Sequence, residues 1–231
     1  MSTDVRLLST KTLSAGAQEE ATRLGFALTQ IDFIHTEKIE PNNWLTSISP
    51  TEVYIFTSAR AVKAAAEAGI NLSKASIAAL SGATQQALHD LGLTVLYTAD
   101  RAKSLTQEII NGHARHVTFF CGDKHRNELP ESLMQHGVDV SKIVVYRTEL
   151  TPHVISETFD GVLFFSPSAV QSFLWKNTIS PSTSIFCIGN TTAREFPATV
   201  TNTLIISPVP DPCKLLRMAA QHFLLSGHVK E

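Results

Sequence analysis

Short apolar runs alternate with amphipathic segments along most of the chain. The run at residues 162–165 is rich in β-branched and aromatic residues and is followed by Ser166, Pro167 and Ser168. Its length and the flanking turn residues favour a buried strand. Ser166 suits a helix N-cap, and Pro167 suits the first helical position because it has no N–H to leave unpaired. The pattern therefore predicts a strand that runs into a helix N-terminus, where free N–H groups can bind an anion.

The same pattern occurs twice in the chain. The segment FTSARAV at residues 56–62 matches FFSPSAV at residues 164–170 with an offset of 108 residues. Farther along, Gly82 and Gly189 each stand after an apolar run and before a threonine and an amphipathic segment, with an offset of 107 residues. We predict that each glycine permits tight backbone geometry and that the threonine caps the following helix. Matching units over this distance predict two similar domains rather than a solenoid.

Strand and helix signals also alternate through the rest of the chain. Further strands are predicted at 5–9, 26–33, 94–99, 117–121 and 203–207, and further helices at 15–24, 85–91, 104–110, 127–136, 192–196 and 212–225. Residues 35–41 and 142–150 have no helix signal and are predicted to be extended. The alternation predicts the α/β class, with parallel doubly wound sheets.

The order of the units predicts a discontinuous domain. The first strand–helix–strand unit supplies strands that the second repeat lacks. We therefore predict one α/β domain from residues 1–36 and 150–231 and an inserted one from residues 37–149, joined by two linker strands at about 34–40 and 143–149. Ligands bind at the carboxyl ends of strands in such sheets, so we expect a cleft between two domains of similar topology.

Composition narrows the class of protein. The 231 residues are 43% hydrophobic and 17% charged, as in globular proteins, and the net charge of −2 argues against a general binder of nucleic acid or membrane surfaces. No apolar stretch approaches transmembrane length. Cys121, Cys187 and Cys213 are odd in number and widely spaced, which indicates reduced thiols in a cytoplasmic protein. No extended apolar surface stands out, so we predict a monomer.

Familiar cofactor and catalytic motifs are missing from the sequence. There is no GxGxxG after the first strand, no GxxxxGK[ST] and no GxSxG serine elbow. His113 and His116 are three residues apart, but Arg115 between them would repel a cation, and the mixed ligands of residues 121–125 indicate a metal only weakly. We therefore predict neither a metal nor a cofactor.

What remains is a set of hydrogen-bond donors at the predicted strand ends. They are Thr57 and Ser58, Gly82 to Thr84, Gly122 with Lys124 and Arg126, Ser166 to Ser168, and Gly189 to Thr192. Backbone amides, hydroxyls and a few cations suit a ligand with several anionic groups that is bound from both sides. Taken singly, helix capping explains each hydroxyl and solubility explains each cation. Five sets at equivalent positions favour a binding site.

Five segments, taken in order, carry a resemblance to a known family. They are FTSARAV at 56–62, Gly122 with Arg126 and Leu129-Pro130, VYRT at 145–148, FFSPSAV at 164–170 and IGNTTA at 188–193. This order resembles the uroporphyrinogen-III synthase family over nearly the whole chain, although Asn190 and Ala59-Arg60 depart from the family pattern. The resemblance implies two α/β lobes and a cofactor-free hydro-lyase of tetrapyrrole (haem) biosynthesis. Such an enzyme removes the hydroxyl of hydroxymethylbilane, inverts ring D and closes the macrocycle to uroporphyrinogen III through a spiro intermediate.

The resemblance also implies roles for individual residues. Tyr146 would aid departure of the hydroxyl, whereas without the resemblance it is a structural tyrosine beside the second linker strand. Thr191 would act with it at the reacting end of the substrate. The residues that would bind substrate are Ser58, Gly82, Thr84, Gly122, Arg126, Ser166, Pro167, Ser168, Gly189 and Thr192. Five further cations would have a secondary role in binding the substrate, and they are Lys11, Arg60, Arg101, Lys103 and Lys124.

Two other classes of protein compete with this interpretation. A two-lobed binding protein or sensor for a small anionic ligand would use the same fold without chemistry. A two-lobed transferase for a nucleotide sugar would call for a longer chain and a set of carboxylates near the cleft. An inactive member of the family is a further alternative, because no residue is an obvious indispensable catalyst. Activity with hydroxymethylbilane separates these alternatives.

Overall fold

The chain forms two compact units. Residues 5–39 and 52–226 are described by the structure, which is a computed structural model. The terminal unit comprises Met1–His35 and Glu149–Glu231, and the central unit comprises Thr36–Thr148. Each unit has its own sheet and its own hydrophobic core.

Strands and helices alternate in both units. In chain order the strands are β1 (Val5–Ser9), β2 (Phe26–Gln30), β3 (Ile34–Lys38), β4 (Val53–Phe56), β5 (Ser76–Leu80), β6 (Tyr97–Ala99), β7 (His116–Gly122), β8 (Asp139–Leu150), β9 (Gly161–Phe164), β10 (Ser184–Cys187) and β11 (Leu204–Ile206). The helices are α1 (Ala15–Arg23), α2 (Ala59–Glu67), α3 (Ala83–Asp90), α4 (Ala102–Asn111), α5 (Glu128–Gln135), α6 (Pro167–Lys176), α7 (Asn190–Ala193) and α8 (Pro212–Leu225). A short 3₁₀ helix at Leu72–Lys74 follows α2.

The terminal unit is built on a five-stranded parallel sheet in the order β11-β10-β9-β1-β2. Neighbouring residues of a strand point to opposite faces, so Leu7 and Leu8 enter different cores. Leu7 packs with residues of α1 and α8, such as Phe223. Leu8 packs with residues of α6, such as Phe173. Because both faces are covered, the central strand β9 is buried along its whole length rather than alternating.

Helices α1 and α8 of this unit are joined by a charged cluster. Glu20 of α1 accepts hydrogen bonds from Arg23 at 2.8 Å and from Arg217 of α8 at 2.6 Å. These two guanidinium groups lower the pKa of the Glu20 carboxyl to about 2. The cluster therefore stays ionised over the whole neutral range and connects the N-terminal and C-terminal segments of the unit.

The central unit has a six-stranded sheet in the order β3-β8-β7-β4-β5-β6. The pairs from β8 across to β6 are parallel. Helices α2 and α3 cover one face, where Phe56 stacks on Phe120 with ring centroids 5.1 Å apart. Helices α4 and α5 cover the other face, where Ile55 and Phe119 meet Leu105 and Leu133.

The two sheets have the same spatial order of strands although the chain enters them at different points. In the central unit the order from the edge is β6-β5-β4-β7-β8, and in the terminal unit it is β11-β10-β9-β1-β2. The N-terminal β1-α1-β2 segment thus stands where β7-α5-β8 stands in the central unit. This correspondence agrees with the repeat read from residues 56–62 and 164–170.

The predicted fold class is confirmed. Both sheets are dominated by parallel pairs with helices on both faces. Helix α8 has the predicted bounds, and the extended passage 142–150 lies within β8. The passage 35–41 overlaps β3, and its end from residue 40 on lies outside the described residues. The predicted strand 26–33 stops at Gln30, because its neighbour β1 ends opposite, at Ser9.

The predicted threonine caps are wrong. The N-cap positions of α3 and α7 are Gly82 and Gly189, and neither helix has a side-chain cap. Thr84 and Thr191 therefore lie inside the first turn, and α7 covers 190–193 rather than the predicted 192–196. Gly82 has φ +79°, a backbone conformation that favours glycine. Gly189 has φ 178°, which is extended backbone open to any residue, so the tight geometry predicted there is wrong.

We predict that Gly161→Ala destabilises the terminal unit. An added Cβ would lie 2.7 Å from Phe186 and 2.9 Å from Leu7, both fully buried. Such overpacking costs about 1–3 kcal/mol. Gly16→Ala is the matched control, because Gly16 lies in α1 with no atom within 4 Å of an added Cβ, and it should be neutral or stabilising. Denaturant midpoints of both variants decide the question, and an unchanged midpoint for Gly161→Ala would contradict the packing.

Candidate functional site

The central strand of each unit runs into a serine-capped helix. β4 is followed by Ser58, whose Oγ accepts a hydrogen bond from the Arg60 N–H at 3.2 Å. β9 is followed by Ser166, whose Oγ accepts from the Ala169 N–H at 3.1 Å. Both predicted caps are thereby confirmed. Each serine uses an oxygen lone pair for the cap, so its O–H remains a donor for a further acceptor.

The capped helices begin at the carboxyl edge of their sheets. Ser58 is half-buried, as are Ser166, Pro167 and Ser168. The first N–H groups of α2 and α6 face away from their helices at this edge, and the positive ends of the helix dipoles lie there too. In α6, Pro167 occupies the first helical position as predicted. This edge therefore provides donors for anionic groups in both units.

The predicted threonine and glycine residues differ in their exposure. Gly82 is exposed and Gly189 is half-buried at the ends of β5 and β10. Thr191 is half-buried, whereas Thr84 and Thr192 have 6% and 3% of their surface exposed. The main chain of these turns and the Thr191 side chain are thus more accessible than the Thr84 and Thr192 hydroxyls.

The structure brings three predicted residues of the central unit together. The Tyr146 O–H donates to Ser58 Oγ at 3.4 Å, which is long for a hydroxyl pair. The Tyr146 ring also lies over Gly122: a Cβ added to that glycine would be 2.4 Å from Tyr146 Cζ. Ser58, Gly122 and Tyr146 therefore form one cluster at the carboxyl ends of β4 and β7.

A cavity of about 610 Å³ opens beside this edge, on the side of the sheet that α4 and α5 cover. Thr57 lines it, together with the cations Arg101, Lys103 and Arg126 and the carboxylates Asp100 and Glu128. Neither α4 nor α5, which both begin here, has a side-chain cap. The cavity therefore combines an excess of positive side chains with two sets of helix N–H groups, which suits carboxylate groups of a ligand.

The end of β1 contributes a further cation, Lys11, to the carboxyl edge of the terminal sheet. Because β1 occupies the position that β7 has in the central unit, the end of β1 lies at the edge of its sheet that corresponds to the end of β7. Ser9 and Thr10 are fully buried, and Thr10 Oγ1 donates to the Leu163 carbonyl at 2.8 Å. Lys11 lies 4.7 Å over the Phe165 ring. The order of the strands in the sheet identifies Lys11 as a residue of this edge. That order cannot be read from a repeat in the sequence.

Thiols at two strand ends are unsuited to nucleophilic catalysis. Burial raises the pKa of the Cys121 thiol to about 11 and that of Cys187 to about 12. Both are protonated at neutral pH, and the thiolate is the nucleophilic form. All three cysteines are free. Within residues 5–39 and 52–226, no three His, Cys, Asp or Glu side chains converge to hold a metal ion.

Fold and strand-end residues together define a class: a two-unit α/β protein with helix N–H groups, hydroxyls and cations at the carboxyl edges of its sheets. A family model described as uroporphyrinogen-III synthase HemD matches residues 17–217. The chain belongs to the uroporphyrinogen-III synthase family. The comparison with curated protein sequences gives no match.

Solved structures of similar fold are also uroporphyrinogen III synthases. A mutant enzyme from Thermus thermophilus is 17% identical with a TM-score of 0.67, covering 96% of this chain and 99% of the other. The enzyme from Helicobacter pylori 26695 is 19% identical with a TM-score of 0.67, covering 94% and 99%. The wild-type Thermus thermophilus enzyme is 18% identical with a TM-score of 0.53, covering 96% and 99%. At these identities the likeness shows the fold.

Membership of this family identifies the reaction that the chain catalyses. The chain is a cyclising hydro-lyase that dehydrates hydroxymethylbilane and closes it to uroporphyrinogen III, in porphyrin and haem biosynthesis. The binding-protein alternative is not favoured. Among the helices of the described residues, none has the length and apolar character needed to cross a membrane.

Proposed function

We propose that this chain converts hydroxymethylbilane to uroporphyrinogen III with Tyr146 as the group that aids loss of the hydroxyl. The observation that carries the proposal is the cluster of Tyr146, Ser58 and Gly122 at the carboxyl edge of the central sheet. In parallel α/β sheets this edge is where ligands bind. The long contact between the Tyr146 and Ser58 oxygens leaves the tyrosine proton available to a substrate hydroxyl.

The substrate itself supplies much of the driving force for this step. The lone pair of the pyrrole nitrogen next to the CH₂OH group expels the hydroxyl and forms an azafulvene. Tyr146 donates a hydrogen bond or its proton to the departing oxygen, and the N–H proton that the pyrrole gives up completes the water or restores the phenol. The protein must then hold the chain so that the substituted carbon of ring D is attacked and the spiro intermediate forms. Thr191, in the first turn of α7, is proposed to act at this reacting end.

We assign the remaining strand-end residues to the substrate carboxylates. Ser58, Gly82, Thr84, Gly122 and Arg126 contribute from the central unit. Ser166, Pro167, Ser168, Gly189 and Thr192 contribute from the terminal unit. Helix N–H groups account for much of this binding, which is consistent with a chain of net charge −2. For Thr84 the main chain is the proposed donor, because its side chain is buried. The Thr192 N–H donates to the Gly189 carbonyl at 3.1 Å, so the proposed contribution of Thr192 is to hold the turn that carries Gly189 and Thr191.

The proposal includes a cytoplasmic monomer that needs no cofactor and binds no nucleic acid. Free thiols at all three cysteines agree with a reducing compartment. The negative net charge disfavours general binding of nucleic acid. Light scattering of the purified protein measures its mass directly, and a dimer would contradict the monomer.

The first prediction concerns the product. Purified protein supplied with freshly generated hydroxymethylbilane should give predominantly the type III isomer after oxidation to porphyrins and separation of the isomers. A protein-free reaction is the control, because the substrate closes by itself without inverting ring D. Type I product alone, at the rate of this control, would overturn the proposed function.

The second prediction concerns Tyr146→Phe. Removing the phenolic O–H should lower kcat by about 10- to 100-fold with little change in KM, because the lost interaction forms at the departing hydroxyl. Tyr97→Phe is the matched control, because this half-buried tyrosine begins β6, the outermost strand on the far side of the same sheet. Steady-state kinetics of both variants test the role, which an unaltered kcat for Tyr146→Phe would refute.

The third prediction concerns the cavity at α4 and α5. Arg126→Gln should raise KM for hydroxymethylbilane by about three- to tenfold and change kcat less, because one carboxylate loses a charged donor. Arg115→Gln removes the same charge at the amino end of β7 and should have no effect. Equal KM values for both variants would exclude Arg126 from substrate binding.

A further inference from the structure

The register of β7 and β8 changes next to Tyr146. From His116 to Cys121 the residues of β7 pair one to one with β8, and Cys121 lies opposite Val144. The next residue, Gly122, lies opposite Tyr146, so Val145 is an extra residue in β8. This is a β-bulge, a device that redirects side chains and occurs often beside active sites.

The bulge decides which face of the sheet Tyr146 occupies. Ile143 packs in the core under α2 and α3, and Val144 packs on the opposite side. Val145 returns to the α2 side, where it is fully buried. Regular alternation would send Tyr146 to the α4 and α5 side, but it packs on the same side as Val145. The extra residue therefore brings the tyrosine to the face on which Ser58 caps α2.

Gly122 leaves the space that the redirected ring fills. An added Cβ would lie 2.4 Å from Tyr146 Cζ, 2.5 Å from Cε2 and 2.8 Å from the hydroxyl oxygen. Contacts this short are not tolerated, so any side chain at residue 122 would push the ring away. The absence of a side chain at this residue thus sets the position of the tyrosine hydroxyl.

Asp123 holds the backbone of β8 on both sides of Arg147. Its N–H donates to the Tyr146 carbonyl at 3.0 Å, and its Oδ1 accepts from the Thr148 N–H at 2.9 Å. In a parallel ladder, the backbone carbonyl of the same residue would accept that second bond. The chain turns away after Asp123, and Oδ1, which also accepts from the Lys124 N–H at 2.9 Å, takes the place of the carbonyl.

From these contacts we propose that Gly122 and Asp123 are positioning residues for Tyr146. Gly122 provides room for the ring, and the Asp123 carboxylate fixes the strand that carries it just past the bulge. Asp123 touches no reacting atom in this scheme and acts through Tyr146. The inference rests on the proposed function for its effect on catalysis, but the position of the ring can be measured without substrate.

The kinetic test is a double-mutant cycle between Asp123 and Tyr146. Asp123→Ala should lower kcat about tenfold with KM within about twofold, because the hydroxyl is displaced from the departing group. Asp123→Asn should retain most of the activity, since its amide oxygen can still accept from the Thr148 N–H. In a Tyr146→Phe background, Asp123→Ala should lower kcat by less than about twofold further, because the hydroxyl that Asp123 positions is already gone.

The matched control is Asp139→Ala. Asp139 is also an exposed carboxylate in the β7 and β8 pair, but it begins β8 at the opposite edge, where it contacts His116. This variant should leave kcat unchanged. If Asp123→Ala lowers kcat as much in the Tyr146→Phe background as in the parent enzyme, then Asp123 acts independently of the tyrosine. That result would overturn the proposal.

A second readout keeps the inference testable if Tyr146 has no role in the reaction. The ring NMR signals of Tyr146, assigned by their loss in Tyr146→Phe, should shift in Gly122→Ala and in Asp123→Ala but not in Asp139→Ala. Full activity of Tyr146→Phe with shifted ring signals would refute the proposed catalytic role and leave the positioning intact. Unshifted ring signals in both Gly122→Ala and Asp123→Ala would refute the positioning itself.

Discussion

Parallel pairing around the two central strands is the constraint on which the rest of the structure depends. β4 lies between β5 and β7, and β9 lies between β10 and β1, with every pair parallel. Parallel pairing requires crossover helices, which bury both faces of the two central strands and make these strands apolar throughout. It also places every strand's carboxyl end, and the N-terminus of the helix that follows, at one edge. An anion-binding edge is therefore a consequence of the topology before any particular residue is chosen.

Because the two units have the same order of strands, each unit has such an edge. In the terminal unit, β1 and β2 of the N-terminal segment occupy the positions that β7 and β8 have in the central unit. The two units therefore share the spatial order of their strands, although the strands follow one another differently along the chain. Glu20, held between Arg23 and Arg217, joins that segment to the C-terminal helix. The copies then differ at the edge itself. Tyr146 follows a bulge in one copy, whereas β2 of the other copy pairs with β1 without one.

The sequence allowed the fold class and the elements with strong local signals to be predicted, but not the register between distant strands. Helix α8 was predicted to the residue because Asp211 caps it and Pro212 starts it. The roles of Thr84 and Thr191 as caps were predicted wrongly, because a glycine can occupy the N-cap position without any side-chain bond. The bulge at Val145 depends on the register between two strands distant in the sequence, and no local pattern encodes it. Only the family resemblance pointed to Tyr146.

The chemistry explains why the site contains so few reactive groups. A pyrrole nitrogen that expels its own leaving group needs no nucleophile, and the cysteines at the strand ends, with their pKa values raised by burial, supply none. In the mechanism proposed for Tyr146, selectivity for the inverted product depends on where the substrate and one hydroxyl donor are held. Such control is exerted by groups that set positions, such as a residue without a side chain and a carboxylate that replaces a backbone carbonyl. Under that proposal, the glycine and the aspartate that position Tyr146 matter as much as its hydroxyl group.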